Sequence, residues 1–178
     1  MKHPLSHIRL GAPFHFSKSV LFHFSPRVEK LSVAKEFLGL CAYIHALTNV
    51  KIDASSKITF RDCGFLVLGT EKSSFRNWAG RTSIYMEPNT NLIVNGYNQV
   101  GRGSLLWLVE GGAIELQGGE TFTAGTSKII SKEKVTIGRG VMIAWGVTIC
   151  DHDFHKLYVN DEQLTETAPV VIEDNVWV

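Results

Sequence analysis

Two histidines and two aspartates stand within five residues of the sequence, at Asp151, His152, Asp153 and His155. An imidazole, whose reference pKa is about 6.5, is suited to take a proton from a hydroxyl group as that group attacks a carbonyl. A neighbouring carboxylate holds such a ring in one tautomer and stabilises the imidazolium that forms. In an extended segment His152 would point away from both aspartates, so we expect the segment to bend. The spacing leaves open which histidine is the base.

The residues before this cluster repeat with a period of six. Isoleucines are each followed by a small residue and preceded two places earlier by a valine, which gives the pairs Val135 and Ile137, Val141 and Ile143, Val147 and Ile149. Because residues two apart lie on the same side of a strand, each unit predicts one short strand followed by a corner. Three units predict a three-sided coil of roughly 18 residues, and stacked coils share one apolar core.

The cluster stands where the next corner of this coil should be. The repeat resumes only at Val170, after a largely polar stretch, and then continues to Val178. A polar loop inserted into a rigid repeat is a common place for a functional site. We therefore expect the cluster to be the functional centre, with the coils on either side holding it in place.

The stretch GRGVMIAWGVTICDHDFH, followed by APVVIEDNVWV, resembles the hexapeptide-repeat acyltransferases, and among them the sugar and polysaccharide O-acetyltransferases. The resemblance extends over residues 94–178. It implies an all-β fold, a left-handed parallel β-helix, assembled as a homotrimer that binds acetyl-CoA between neighbouring subunits. The activity it implies is transfer of an acetyl group from acetyl-CoA to a hydroxyl group of a sugar or surface-polysaccharide precursor, with a histidine as the general base.

The resemblance also suggests roles for single residues. Relatives with a Ser-His-Asp-Tyr-His loop match their catalytic histidine to His152, whereas relatives with Asp-Thr-Asp-Phe-His lack that histidine and point to His155. Trp145 and Trp177 are expected to flank the pantetheine arm of the cofactor or to pack between subunits. Gly146, at a proposed corner, could expose a backbone N–H group to a developing oxyanion, or serve only the turn.

Two other functions fit parts of the pattern. A trimeric β-helix without catalysis would be a scaffold. A metal-dependent hydratase of the β-helix type needs three histidines around one ion. Only His152 and His155 lie close together in the coil region of the sequence, so we predict no metal site.

The predicted repeat stops at Val178 in the middle of a coil. The enzymes that the sequence resembles continue with further coils, which build much of their cofactor groove. We therefore expect a β-helix domain that is incomplete at its C-terminus, either a truncated form or a variant without cofactor binding. An exposed last strand is expected to fray or to associate.

The composition predicts one domain. The 178 residues are 44% hydrophobic and carry a formal net charge of +1, which disfavours a nucleic-acid or anionic-membrane partner. Three cysteines at unrelated spacings favour a reducing compartment. Because no apolar run reaches the roughly 20 residues that span a bilayer, we predict a cytoplasmic protein without a transmembrane segment.

The first 50 residues differ from the rest in their predicted secondary structure. We predict an irregular or helical segment at 1–50 and the β-helix domain at 51–178. Apolar residues from Leu31 to Ile44 recur every three or four positions and predict an amphipathic helix over 29–47. Such a helix would cover an open end of the solenoid, with contact to a membrane-bound sugar carrier as the alternative.

Overall fold

A computed structural model describes residues 28–30, 42–44, 48–69 and 80–178. These residues form sixteen strands and no helix, and every pair of strands but one is parallel. The paired strands lie in three columns, and within a column each strand pairs with the one from the next coil. The architecture is all-β and β-helix-like.

The strands of each column can be named in order. The first column contains β1 (Val28–Lys30), the first half of β4 (Lys57–Leu68), the first half of β6 (Asn91–Val100), β8 (Ala113–Leu116), β11 (Lys134–Ile137) and β16 (Val170–Ile172). The second contains β2 (Ala42–Ile44), the second halves of β4 and β6, β9 (Thr121–Thr123) and β12 (Met142–Ile143). The third contains β3 (Thr48–Ile52), β5 (Thr82–Met86), β7 (Leu105–Leu108), β10 (Lys128–Ser131) and β13 (Thr148–Cys150). β14 (Tyr158–Val159) and β15 (Glu162–Gln163) form an antiparallel hairpin apart from the columns.

The predicted six-residue units each supply one strand, because β11, β12 and β13 enter the first, second and third columns in turn. Their aliphatic side chains point into a shared core, in which the buried residues are Val135, Ile137, Val141, Ile143 and Ile149. Spacing by six therefore predicts both the strands and their inward faces in this part of the chain.

The coils are longer than the predicted 18 residues. Ala113 pairs with Lys134, 21 positions later, and Asn91 pairs with Ala113, 22 positions later. The extra residues lie in the corners. Between β8 and β9, for example, Gly118 and Gly119 take φ values of 79° and 69°, a left-handed conformation that glycine adopts without a steric penalty.

The helix predicted over 29–47 is wrong for the residues that the structure describes at its two ends. Val28–Lys30 and Ala42–Ile44 are strands that pair with β4, and the residues between them, like 45–47, lie outside the described residues. Pairing with a strand far along the chain overrides a local helical period. Within the described ranges, no helix combines the length and the apolar character that crossing a membrane requires.

Close stacking of the coils makes one glycine a test of the fold. A Cβ atom added at Gly112 would collide with the backbone carbonyl oxygen of Ser131 in the next coil, whereas one added at Gly80 would meet no atom within 4 Å. We expect Gly112→Ala to lower the free energy of unfolding by roughly 2 to 3 kcal/mol, because the backbone of two coils must move apart. Gly80→Ala is the matched control, and equal urea midpoints for the two variants would contradict this stacking.

Candidate active site

The coil opens between β13 and β16. After β13 the chain leaves the third column and reaches the first column only at β16, so residues 151–169 form an inserted loop. Two backbone hydrogen bonds join the two ends of this loop, which we call its neck. They run from the Ala168 N–H to the Asp151 carbonyl at 3.0 Å and from the Asp153 N–H to the Glu166 carbonyl at 3.3 Å. β14 and β15 form a hairpin within it. The insertion expected from the sequence thus begins at the cluster of histidines and aspartates.

The Asp151 carboxylate is buried and ties the start of this loop to the corner between β10 and β11. Its Oδ2 accepts hydrogen bonds from the Ser131 hydroxyl at 2.7 Å and from the Glu133 N–H at 2.9 Å. Its Oδ1 accepts one from the Lys132 N–H at 2.7 Å. Hydrogen bonds to an ionised carboxylate are among the stronger ones in proteins. They fix the position of this carboxylate and the place where the chain leaves the coil.

The His152 imidazole lies beside that carboxylate and is buried. The residue is 9% exposed, and its Nδ1 is 3.4 Å from Asp151 Oδ1 and 3.4 Å from the Cys150 sulfur. The Cys150 thiol also donates to the His152 carbonyl at 3.1 Å. In the described part of the chain, Nε2 is buried and has no hydrogen-bond partner. One ring nitrogen thus faces a fixed carboxylate and a thiol, while the other has no hydrogen-bond partner among the described residues.

The Phe154 ring covers the imidazole. The two ring centroids are 3.7 Å apart, although the Phe154 side chain is itself 57% exposed. The backbone of Phe154 has a φ of 63°, which is uncommon for a residue with a bulky side chain. This left-handed turn folds the ring back over His152.

The two remaining members of the cluster face solvent. The side chains of Asp153 and His155 are exposed, and neither is among the contacts of the His152 ring that the described residues provide. Of the four predicted catalytic residues, the structure therefore brings together Asp151 and His152. The alternation of Asp and His along the sequence could not indicate which aspartate would make this contact.

An ion pair holds the far side of the neck. Lys132 Nζ lies 3.0 Å from Glu166 Oε2. The hydrogen bond from Lys132 lowers the pKa of the Glu166 carboxyl below its usual value. The Lys132 N–H also donates to Asp151. Lys132, in the corner between β10 and β11, therefore binds both ends of the loop, one at Asp151 and the other at Glu166.

The residues predicted to contact the cofactor lie near β12 in the second column. Trp177 bridges to Met142 there and is 77% exposed, while Trp145, at the corner after β12, is 58% exposed. Gly146 has a φ of 71°, and an added Cβ would meet no atom within 4 Å, so it serves a turn that is open to solvent. None of the predicted three is among the described contacts of His152.

A groove that the sequence analysis missed lies on the outer face of the third column. Its volume is about 530 Å³, and Lys51, Asp53, Tyr85, Glu87 and Trp107 are among the residues that line it. The Trp107 ring lies 5.6 Å from the Phe154 ring between centroids. The alternation in LLWL predicts an outward Trp107, but only the register of the columns shows that the residue approaches the inserted loop.

Other contacts of the site were also not predicted. Ser131, Lys132 and Glu133 bind Asp151, and Cys150 approaches His152, although none carries a recognisable motif. Their positions follow from the stacking of coils whose lengths the sequence pattern does not fix.

The described residues contain no group of three or more His, Cys, Asp or Glu side chains placed to hold a metal ion. The hydratase alternative therefore gains no support from this part of the chain. Comparisons with protein families, with curated proteins and with solved structures find no match to this sequence.

Proposed function

We propose that this chain is a hexapeptide-repeat acyltransferase of the left-handed β-helix type, which transfers an acetyl group from acetyl-CoA to a hydroxyl group of a sugar or surface-polysaccharide precursor. The observation that carries the proposal is the His152 imidazole, with Nδ1 beside the Asp151 carboxylate and a buried Nε2 that has no partner among the described residues. A buried polar atom without a partner costs free energy unless a further group comes to meet it. A substrate hydroxyl is such a group.

In the proposed reaction, Nε2 of His152 takes the proton of the acceptor hydroxyl as the oxygen bonds to the acetyl carbonyl carbon. This requires the tautomer with the ring proton on Nδ1, which the nearby Asp151 carboxylate favours. The acetyl donor supplies a thioester, whose carbonyl is open to attack. As the carbon–sulfur bond breaks, the imidazolium gives its proton to the departing sulfur, so the ring ends neutral. Asp151, itself held by three hydrogen bonds, stabilises the imidazolium meanwhile.

Access to Nε2 requires a movement of Phe154. The nitrogen is buried beneath neighbouring atoms, and the Phe154 ring packs on the imidazole. Since most of the Phe154 side chain faces solvent, its displacement by a bound sugar would cost little packing beyond its contacts with the His152 and Trp107 rings. In the proposal, the acceptor takes the place of this ring.

The proposal includes a homotrimer with acetyl-CoA bound between subunits, in the cytoplasm. It is supported by apolar side chains that one copy of the chain leaves exposed, since Met142 is 50%, Trp145 58% and Trp177 77% exposed. Met142 and Trp177 are bridged neighbours, and large apolar side chains that lie together on a surface mark a contact site. In this arrangement the tryptophans pack between subunits or flank the pantetheine arm, and Gly146 offers a backbone N–H group to the carbonyl oxygen.

Thiol release tests the proposal. Purified protein mixed with acetyl-CoA is expected to liberate free CoA thiol faster when a panel of sugars is added, and mass spectrometry is expected to detect an acetylated sugar. Titration calorimetry with acetyl-CoA alone is expected to give heat of binding. A scaffold without catalysis would give neither heat nor sugar-dependent thiol, and that pair of results would end the proposal.

A further inference from the structure

The groove on the third column contains a short ladder of outward side chains. Lys51 pairs in register with Tyr85, and Tyr85 pairs with Trp107. The neighbours of Tyr85 along its strand, Ile84 and Met86, are buried, so Tyr85 itself faces outward. Because adjacent strands lie about 4.8 Å apart, the two aromatic side chains are neighbours across two coils, and both line the groove as its aromatic surface.

Fixed carboxylates border this aromatic surface. Glu87 Oε1 accepts a hydrogen bond from the Trp107 indole N–H at 2.9 Å, and Glu87 Oε2 accepts one from the Glu110 N–H at 3.1 Å. On the neighbouring coil, Asp53 Oδ1 accepts from the N–H and the hydroxyl of Ser55, at 2.8 and 2.7 Å. Both carboxylates thus have a defined position, and each Glu87 oxygen has a lone pair that these two hydrogen bonds do not use.

The chemistry of the groove suits a neutral carbohydrate. A pyranose ring offers C–H groups that pack on an aromatic face and hydroxyl groups that donate to carboxylates. Among the described residues that line the groove, Asp53 and Glu87 carry carboxylates and Lys51 carries an ammonium group, so these charges do not favour a phosphate or a uronic acid. We propose that this groove binds a neutral oligosaccharide, with sugar rings stacked on Tyr85 and Trp107 and hydroxyl groups bound by Glu87.

The groove leads towards His152. Trp107 packs against Phe154 with ring centroids 5.6 Å apart, and Phe154 covers the imidazole at 3.7 Å. A sugar chain seated on Trp107 would therefore end at the ring that closes the candidate base. This step rests on the proposed function: the groove would hold the acceptor so that its terminal hydroxyl displaces Phe154. Binding of the oligosaccharide itself does not depend on catalysis.

A printed array of neutral oligosaccharides, each paired with its uronic-acid counterpart, tests the binding, and titration of the best soluble neutral glycan gives its Kd. We expect Trp107→Ala to raise that Kd by about tenfold. Glu87→Gln, which keeps the size of the side chain, is expected to raise it roughly threefold to tenfold. Tyr158→Ala removes an aromatic side chain that is 59% exposed on the inserted loop, and it is expected to leave the Kd unchanged. Thermal unfolding of each variant verifies that the fold is intact.

The outcomes separate this inference from the proposed function. Tight binding of neutral glycans that Trp107→Ala weakens, and that His152→Ala retains, supports the groove whether or not acetyl transfer is observed. Absence of binding to every neutral glycan on the array overturns it. Stronger binding of the uronic-acid partners, or equal affinity of wild type and a folded Trp107→Ala variant, overturns it as well.

Discussion

Replacing His152 with alanine is expected to lower kcat for acetyl transfer by about 10²- to 10⁴-fold, the range that a positioned general base supplies. KM for the sugar and for acetyl-CoA should change much less, because the ring acts on the proton in the transition state and contributes little to holding either substrate. Steady-state assays of CoA thiol release measure both constants. A variant that keeps the wild-type kcat would remove His152 from the mechanism.

The same substitution also leaves space in the packing, because the ring is buried beneath Phe154. His152→Gln therefore accompanies it, since glutamine fills much of that space and is a far weaker base. Loss of activity in both variants, with circular dichroism and unfolding midpoints close to those of wild type for the glutamine variant, assigns the loss to chemistry. Loss in the alanine variant alone would assign it to packing.

Replacing Asp151 with asparagine is expected to lower the free energy of unfolding by about 2 to 4 kcal/mol, because it leaves buried donors without acceptors. The carboxylate serves the Ser131 hydroxyl and the backbone N–H groups of Lys132 and Glu133. An amide has one oxygen, so in either orientation its NH₂ group faces a backbone N–H group, that of Lys132 or that of Glu133, which cannot turn away. Urea unfolding should give a lower midpoint with an unchanged m value.

Asp153→Asn is the matched control for this experiment. Asp153 carries the same chemical group two residues later, but its side chain is exposed, so we expect a change within about 0.5 kcal/mol. Equal stability of the Asp151 and Asp153 variants would contradict the role given to the buried carboxylate. Activity of Asp151→Asn, measured below its unfolding transition, then reports separately on how the ring is held.

The sequence predicts the part of the fold that local packing controls. Val135, Val141 and Ile143 are buried where the period of six places them, because a strand of this length has two faces and the apolar one must point inward. The inserted loop is equally visible, because Asp151 ends an aliphatic pattern that Val170 resumes. Both inferences use neighbours in the sequence alone.

Features that depend on distant strands escape such reasoning. Val28–Lys30 and Ala42–Ile44 lie at the edges of a segment with a helical period, yet they pair with β4. The number of residues per coil is set by corners such as the one containing Gly118, and no hexad counts them. An error in the number of residues per coil changes which residues of neighbouring coils are predicted to pair.

The site likewise combines residues that the sequence identifies with contacts that only the structure shows. The sequence identifies His152 and Asp151 as candidates, but the choice of Asp151 over Asp153 depends on donors from another coil that hold the Asp151 carboxylate beside the ring. Trp107 reaches the loop from more than forty positions earlier, through the stacking of the third column. Such contacts become predictable only when the register of the columns is known.

The most direct measurement is the rate of acetyl transfer by His152→Ala and His155→Ala, assayed together on the same sugar acceptor. The buried imidazole beside Asp151 predicts that the first variant loses transfer while the second, altered at an exposed side chain, keeps a rate close to that of wild type. The reverse pattern would move the base to His155, and full activity in both variants would contradict a histidine base in this loop.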